Sequence, residues 1–319
     1  MNDELPDVPP QETAGDRGGG RWAWTAWAFA AGCFVFFFGM CAAMFRFTAE
    51  DAFVIARYAE NLVRGEGLVF NPGEQINALT CPLMALLEAA IYALVGSTIV
   101  PTKLLSIALV AAAHLVCLER FRHDRESIWL YSLLAVASPF LAFWAIGGME
   151  TPLLLWLVTA AALVYLQIVD RGISRASAAG VSVLLAFSFL TRYDAILFAA
   201  PLGLALVVRY PRKAGWLLGP AVLIAGGWLV FAQLYYHDVL PTSFYIKKPI
   251  WRSYEVKRTT LYLGQFALFS GWGLLALWTA ASLAAGGRST PSAAGGYAAA
   301  RQHVRRCWGL YLGLGLFAC

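Results

Sequence analysis

The chain is organised by long, uninterrupted runs of apolar residues, and these runs constrain its fold more than any other feature. A helix that spans a bilayer needs about 20 mostly apolar residues. Convincing runs occupy residues 22–45, 101–118, 127–146, 151–169, 216–235 and 261–285. Two shorter runs, 177–190 and 195–208, flank a polar tripeptide, and a last run covers 307–319. The sequence predicts an all-α polytopic membrane protein with about eight or nine hydrophobic spans.

Charged residues are almost excluded from these runs. Of the 19 acidic side chains only Glu88, in a short apolar segment at 82–96, lies inside a run, and of the 24 basic ones only Lys103 does. Lys103 lies near the end of its run, where its ammonium can snorkel to the interface. A charge at mid-bilayer costs roughly 2.5–3.5 kcal/mol, so this segregation is what solvation by lipid requires.

Composition excludes several other classes of protein. Hydrophobic residues make up 60% of the 319 residues and charged residues 13%. This excludes an ordinary soluble enzyme, a disordered chain and a small disulfide scaffold. Continuous apolar runs disfavour a β-barrel, whose strands alternate. The net charge of +5 comes from short basic clusters between the runs, so we expect no nucleic-acid partner.

The distribution of basic residues favours a cytoplasmic N-terminus. If segment 82–96 does not cross the bilayer, the cytoplasmic segments carry 14 Lys/Arg and the outer ones 9, which satisfies the positive-inside rule. If the segment crosses and the N-terminus is outside, the count is about as good. We prefer the first topology because 15 residues opening with Pro82 and carrying Glu88 suit an interfacial or re-entrant helix better than a span.

The expected organisation is a flexible cytoplasmic tail (1–21), a transmembrane module (22–285) whose first extracytoplasmic loop is 46–100, a flexible cytoplasmic loop (286–306) and an incomplete last span (307–319).

The first outer loop begins with a predicted amphipathic helix. Thr48 is a candidate N-cap, with Asp51 in the capping-box position, and Gly65 is a natural stop. On a helical wheel one arc is polar and the opposite arc apolar, as in a helix that lies in a membrane interface. The polar arc holds Glu50, Arg57, Glu60, Asn61 and Arg64, and the apolar arc holds Ala52, Ile55, Ala56, Ala59, Leu62 and Val63.

Two adjacent carboxylates open this helix, and a cation follows two turns later. A carboxylate near an acceptor hydroxyl serves as a general base, and a phosphate leaving group needs a cation or a metal nearby. Glu50, Asp51 and Arg57 offer both functions on one element. The alternative is that Asp51 only caps the helix and that Glu50 is a solvated surface charge.

The segment 47–87 resembles the first extracytoplasmic loop of the GT-C superfamily, the integral-membrane glycosyltransferases that use polyprenyl-phosphate-linked sugars. It is most similar to a bacterial branch that includes cell-wall arabinofuranosyltransferases. The matching residues are Asp51, Ala52, Phe53, Arg57, Tyr58, Ala59, Asn61, Leu62, Gly65 and Gly67 to Gly73, followed by Glu74, Thr80, Pro82 and Leu83. The first acid of the family pair is Asp, whereas this chain has Glu50, so either Glu50 or Asp51 is the expected base.

Three shorter segments carry the resemblance further, in the order that the family has them. Gly147 to Thr151 is similar to the family loop S-G-[LM]-E-T, Leu190 to Asp194 to L-T-R-P-[DE], and Leu240 to Lys247 to L-P-N-T-F-Y-x-K. The resemblance covers roughly residues 40–250 and implies a GT-C-type bundle with interfacial helices in its first outer loop. All four segments fall in stretches that the preferred topology places outside.

The resemblance implies transfer of a sugar, with inversion, from a polyprenyl-phosphate carrier to a glycan, lipid or protein hydroxyl outside the cell membrane of a bacterium. We expect no obligatory cofactor, although a divalent cation is compatible with this chemistry, and no metal-ligand spacing occurs. The expected base is Glu50 or Asp51; the expected phosphate ligands are Arg57, Arg192, Lys247 and Lys248; the other site candidates are Tyr58, Asn71, Thr80, Glu150, Asp194 and Tyr245.

The residues outside the first loop also have structural interpretations. Arg192 and Asp194 lie between two short runs, either in broken helices that line a polar cavity or as a pair that caps a tight hairpin. Lys247 and Lys248 bind either a lipid phosphate or anionic headgroups. The rivals to the transferase are a transporter or lipid-handling protein without chemistry, and an inactive truncated member of the superfamily.

Overall fold

Helices form the regular structure of the described part of the chain. The computed structural model describes residues 19–246 and 260–261, and within them it has helices and no strand. The all-α prediction is therefore confirmed for this part. The helices are α1 Gly19–Ala43, α2 Glu50–Val63, α3 Pro82–Val95, α4 Ile99–Arg120, α5 Arg125–Tyr131, α6 Pro139–Ile146, α7 Thr151–Arg171, α8 Arg175–Thr191, α9 Ile196–Arg209, α10 Ala214–Ala221, α11 Gly227–Tyr236 and α12 Thr242–Ile246.

Four helical segments of this part are long and apolar enough to cross a membrane: Trp24–Ala43, Ile99–Arg120, Thr151–Arg171 and Pro211–Tyr236. They coincide with four of the predicted runs. Helices α3 and α8 are apolar but shorter, with 14 and 17 residues, and α9 has 14. The predicted runs 261–285 and 307–319 lie outside the described residues, apart from Leu261. The chain is thus a membrane protein with four candidate spans in this part, and the larger span count stays a prediction.

The predicted run 127–146 is a broken helix rather than a straight span. Helix α5 continues through a π-helical segment, Ser132–Val136, and then meets α6 at an angle of 50°. The cause is Pro139, because the residue before a proline avoids the helical region. Ser138 accordingly has an extended backbone, with ψ at 117°. Counted as one bent segment, this pair gives a fifth candidate span.

Contacts between loops show which helix ends lie together. The Lys103 ammonium, in the first turn of α4, donates to the carbonyl oxygens of Phe45 and Phe47, just after α1. Helix α4 therefore starts at the end where α1 finishes. Helices α2 and α3 pack on each other between the end of α1 and the start of α4. Segment 82–96 therefore does not carry the chain to the opposite end of the helices. The alternative topology, in which this segment crosses the bilayer, does not agree with these contacts.

The same end of the helices carries all four segments that resemble the family. We call it the motif end and define it by residues 47–83, 147–151, 190–194 and 240–246. The opposite end, here the basic end, holds the clusters at 120–125, 171–175 and 209–213. An ion pair between Arg120 and Asp170, 3.4 Å apart, joins the last turns of α4 and α7 there.

Candidate functional site at the motif end

The acidic pair lies at the start of α2, but the helix is not capped as the sequence predicted. The N-cap residue is Ala49, with an extended backbone and no side-chain cap. The predicted capping box between Thr48 and Asp51 is therefore wrong, because the helix starts one residue too late for the Thr48 hydroxyl to cap it. Glu50 and Asp51 are exposed, and within the described residues neither forms a hydrogen bond or ion pair.

The exposed face of α2 presents an acid, an aromatic ring and a cation in line. Glu50, Phe53 and Arg57 are spaced i, i+3 and i+7, so they follow one stripe of the helix. At 1.5 Å per residue the stripe is about 10 Å long. Phe53 is 56% exposed, and exposed Arg57 has no polar partner in the part of the chain that the structure describes. Both ends of the stripe are therefore free to bind a ligand.

The second segment, Gly147 to Thr151, lies directly against the start of α2. The Ala49 amide donates to the Gly147 carbonyl at 2.9 Å. Gly148 has φ at +75°, and a Cβ added there would lie 3.2 Å from Cβ of Ala52. Glycine thus allows both the backbone conformation and the close approach. The segment therefore packs its main chain against the start of α2, and it continues through Glu150 into α7.

Glu150 connects the second segment to the third through Arg192. One Glu150 oxygen accepts from Nη1 of Arg192 at 3.0 Å. The same guanidinium binds Asp194 through Nε at 3.0 Å and Nη2 at 2.8 Å. The Glu150 side chain is 5% exposed, against 42% for Arg192 and 58% for Asp194. The sequence allowed Arg192 and Asp194 either to line a cavity or to cap a hairpin. Arg192 also contacts Glu150, 42 residues away, so the pair is more than a local cap.

The protonation states of this triad follow from burial and pairing. Burial raises the pKa of Glu150, which Arg192 partly opposes. The hydrogen bonds from Arg192 hold the pKa of Asp194 below its usual value. Two carboxyls thus share one guanidinium, so a phosphate ligand would have to compete with them for Arg192. Arg57, in contrast, has no competing carboxylate within the described residues.

Asn61 holds the turn after α2 and does not face solvent. The sequence placed it on the polar arc, but it is 1% exposed. Its amide nitrogen donates to the carbonyl oxygens of Val69 and Phe70, each at 2.9 Å. The returning chain covers this part of the arc, so the expectation of a solvated Asn61 is wrong. Val63, expected on the apolar arc, is 41% exposed.

Tyr58 has a similar structural position. It is fully buried, and its hydroxyl donates to the Ile76 carbonyl at 3.0 Å and accepts from the Ala78 amide at 3.3 Å. The ring therefore supports the segment that leads into α3. Gly65, the predicted stop, does follow α2 and has φ at +81°.

The fourth segment packs against the end of the first. Asn77 donates to the Asp238 carbonyl at 3.0 Å, and the Thr242 amide and hydroxyl both donate to the Asn77 carbonyl, at 2.7 and 2.9 Å. Tyr245, a site candidate, donates its hydroxyl to Asp238 at 2.7 Å. The four segments therefore form one continuous surface at the motif end.

The other candidates lie around this surface. Asn71 and Thr80 are exposed in the segment between α2 and α3, and Asn71 donates to Glu74 at 2.9 Å. Lys247 and Lys248 lie outside the described residues. Within the described residues no group of three or more His, Cys, Asp or Glu side chains is arranged to hold a metal ion.

Sequence reasoning gave no role to a pair of rings below this surface. The Trp228 indole donates to the Tyr193 hydroxyl at 2.8 Å. The Tyr236 hydroxyl donates to the Leu68 carbonyl at 2.6 Å, which fastens α11 to the first segment. The Tyr235 hydroxyl lies beside Gly67 of the same segment. Only the spacing of these aromatics at the end of a run was visible in the sequence.

Glu88 is the other feature whose role the sequence did not reveal. It is fully buried in α3, outside the candidate spans, and neither carboxyl oxygen has a hydrogen-bond partner of good geometry. Burial raises its pKa to about 8, while nearby Thr102 acts in the opposite direction and Glu150 and Glu60 raise it further. The one sign of this buried carboxyl in the sequence was the position of an acidic residue in an otherwise apolar segment.

Comparisons with protein-family models, with curated proteins and with solved structures find no match for this chain. The resemblance to the GT-C superfamily therefore depends on the four segments alone.

Proposed function

We propose that this chain is an integral-membrane glycosyltransferase of the GT-C type, with its reaction site at the motif end. The observation that supports it most is that four segments, separated by up to about 190 residues in sequence, are linked by hydrogen bonds at one end of the helices, where the first of them exposes an unpaired acidic pair. Residues far apart in sequence that converge on free charged groups are typical of a functional site. The span count and the bundle type belong to this proposal as well.

The reaction transfers a sugar from a polyprenyl phosphate to an acceptor hydroxyl. The carboxylate of Glu50 or Asp51 takes the hydroxyl proton, and the acceptor oxygen forms a bond to the anomeric carbon from the face opposite the phosphate. The bond between the anomeric carbon and the phosphate oxygen breaks, and its electron pair leaves with the phosphate. The product is therefore inverted at the anomeric carbon.

Arg57 stabilises the departing phosphate in this scheme. Its guanidinium lies about 10 Å along the helix from Glu50, and it has no competing carboxylate among the described residues. A cation positioned where negative charge develops lowers the barrier. Arg192 holds Glu150 beside the site, and Lys247 and Lys248 remain candidates for the lipid phosphate.

The catalytic test measures transfer of radiolabelled sugar in membranes that contain the full chain. The donors are a panel of polyprenyl-phosphate-linked pentoses and hexoses. Glu50→Gln, Asp51→Asn and the double variant are compared with Glu126→Gln, which removes an exposed acid at the basic end. Loss of a general base lowers transfer by about 10²–10⁴-fold. Full activity of the double variant would exclude both carboxylates as the base, whereas no transfer from any donor by the native chain would favour a transporter or lipid-handling role.

The proposal also places the motif end outside the cytoplasm of a bacterial cell. The basic clusters of the opposite end then face the cytoplasm, as the positive-inside rule requires. Glu66→Cys introduces an exposed thiol between α2 and α3, whereas Cys33, Cys41, Cys81 and Cys117 are buried. An impermeant thiol reagent should label this position in intact cells. Labelling only after lysis would refute the proposed orientation.

A further inference from the structure

Lys103 is the only Lys or Arg side chain that is buried within the described residues, at 3% exposure. It lies in the first turn of α4, a candidate span, where a cation is costly. No carboxylate pairs with it in the described part of the chain. Its partners are instead main-chain carbonyl groups, so its position needs a reason other than an ion pair.

Those carbonyl groups belong to the turn that leads into α2. The ammonium donates to Phe45 at 3.0 Å and also to Phe47, and it lies 5.2 Å from the centre of the Phe45 ring. Both carbonyl groups lie in the turn itself, beyond Ala43, the last residue of α1. The ammonium donates a charge-assisted hydrogen bond to each of them.

The turn between α1 and α2 is held from two sides. Lys103 holds it from α4. From α6, the Phe143 ring lies 4.6 Å from the Phe47 ring, and the Gly147 carbonyl accepts from the Ala49 amide at 2.9 Å. The side chain of Lys103 is thus the one charged tie between a span and the turn that precedes the acidic pair, among the described residues.

We infer that Lys103 is a positioning residue, which fixes the start of α2 so that Glu50 and Asp51 lie at the correct depth at the motif end. It touches none of the acids itself, so it acts through the main chain of residues 45–49. The inference rests on the proposed transferase function for its catalytic consequence. Its structural consequence does not depend on that function.

The kinetic test compares Lys103→Met with Lys103→Arg. Methionine keeps the length and the apolar contacts but removes both donors, whereas arginine keeps the charge and the donors. Because a misplacement of about 1 Å costs up to about 10²-fold in rate, we expect the methionine variant to lose roughly 10- to 100-fold in kcat. The KM for a polyprenyl-phosphate sugar should change by less than about threefold. The arginine variant should retain most of kcat.

A second readout is independent of activity. A nitroxide label at position 51, introduced through Asp51→Cys, reports the mobility of the start of α2 in reconstituted full-length protein. We expect Lys103→Met to increase the mobility there, and Lys103→Arg to leave it nearly unchanged. A label at position 126, at the basic end, is the matched control and should not respond to either variant.

The outcomes separate this inference from the proposed function. Increased mobility at position 51 alone, together with no sugar transfer from any donor by the chain that keeps native Glu50, Asp51 and Lys103, supports the positioning role and refutes the transferase. Unchanged mobility at position 51 in Lys103→Met refutes the positioning role, whatever the activity. Equal changes at positions 51 and 126 would mean that Lys103→Met unfolds the protein generally. Lys103→Gln then serves as the second variant. Equal changes at both positions in Lys103→Gln as well would refute the positioning role.

Discussion

Replacement of Arg192 by methionine tests the electrostatics of the motif end most directly. The variant removes the guanidinium that binds Glu150 at 3.0 Å and Asp194 at 2.8 Å. Asp194 is 58% exposed and returns to water, whereas Glu150 is 5% exposed and stays buried. The second Glu150 oxygen already lacks a partner. Almost all of the cost therefore falls on Glu150.

The expected loss of stability is moderate. Removal of one partner from a fully buried ion pair costs about 3–5 kcal/mol. Arg192 is 42% exposed, so water screens the pair and part of that energy is absent in the native protein. We expect the free energy of unfolding to fall by about 2 kcal/mol in Arg192→Met, between the buried and exposed limits. Asp194→Asn should cost less than about 1 kcal/mol, because that pair is exposed.

A double-mutant cycle identifies the cause. Glu150→Gln removes the charge that Arg192→Met leaves unpaired, so the double variant should be more stable than Arg192→Met alone. The assay is reversible unfolding in detergent, followed by intrinsic tryptophan fluorescence. If the double variant is as unstable as the single arginine variant or less stable, a buried unpaired carboxylate is not the cause and the reasoning is refuted.

The pH dependence gives an independent check of the same cause. Without Arg192 the pKa of Glu150 rises further above its value in the unfolded chain, because burial is no longer opposed. A folded-state pKa above the unfolded one means that stability is lost as pH rises through the interval between them. The deficit of Arg192→Met relative to the native protein should therefore shrink below pH 5, near the ordinary carboxyl value of 4.5.

Three other variants give defined outcomes. Gly67→Ala would bring a Cβ to within 2.4 Å of the Tyr235 hydroxyl at a φ of +92°, so we expect the free energy of unfolding to fall by about 1–3 kcal/mol. Tyr235→Phe should restore the steric part of that loss, as measured by thermal unfolding. The melting temperature of the native protein should decline as pH rises from 4.5 to about 8, because the folded Glu88 carboxyl still binds a proton in that interval. Glu88→Gln should remove this decline, and a native protein that shows no decline would contradict the prediction. Asn61→Leu leaves two carbonyl groups without donors, at a cost of about 1–3 kcal/mol each. The variant should therefore be cleaved faster by protease between α2 and α3. Unchanged cleavage would mean that Asn61 does not hold this turn.

The sequence predicted those features that depend on local pattern. Apolar runs of about 20 residues located four candidate spans. The apolar positions of α2 and the stop at Gly65 follow from helical periodicity and from the left-handed conformation that glycine tolerates. Each of these depends on neighbours within a few residues, which a single sequence contains.

The features that the sequence did not predict depend on distant parts of the chain. Asn61 is polar, and periodicity alone placed it in solvent, but the chain returns over it eight residues later. Lys103 was expected to snorkel to water, and it reaches carbonyl groups 56 and 58 residues before it. The break before Pro139 is the one miss that local chemistry explains, because proline was visible inside an apolar run.

The buried charges of the described residues are concentrated at one end of the molecule. Among the Asp, Glu, Lys and Arg side chains of the described residues, the buried ones are Glu88, Lys103 and Glu150, and each contacts or adjoins the segments of the motif end. Apolar replacements of similar volume usually stabilise such positions, so buried charges are poor devices for stability alone. The charges of the basic end, in contrast, are exposed, as topology signals need to be. This asymmetry agrees with the proposed reaction site at the motif end, where a charged phosphate substrate would bind.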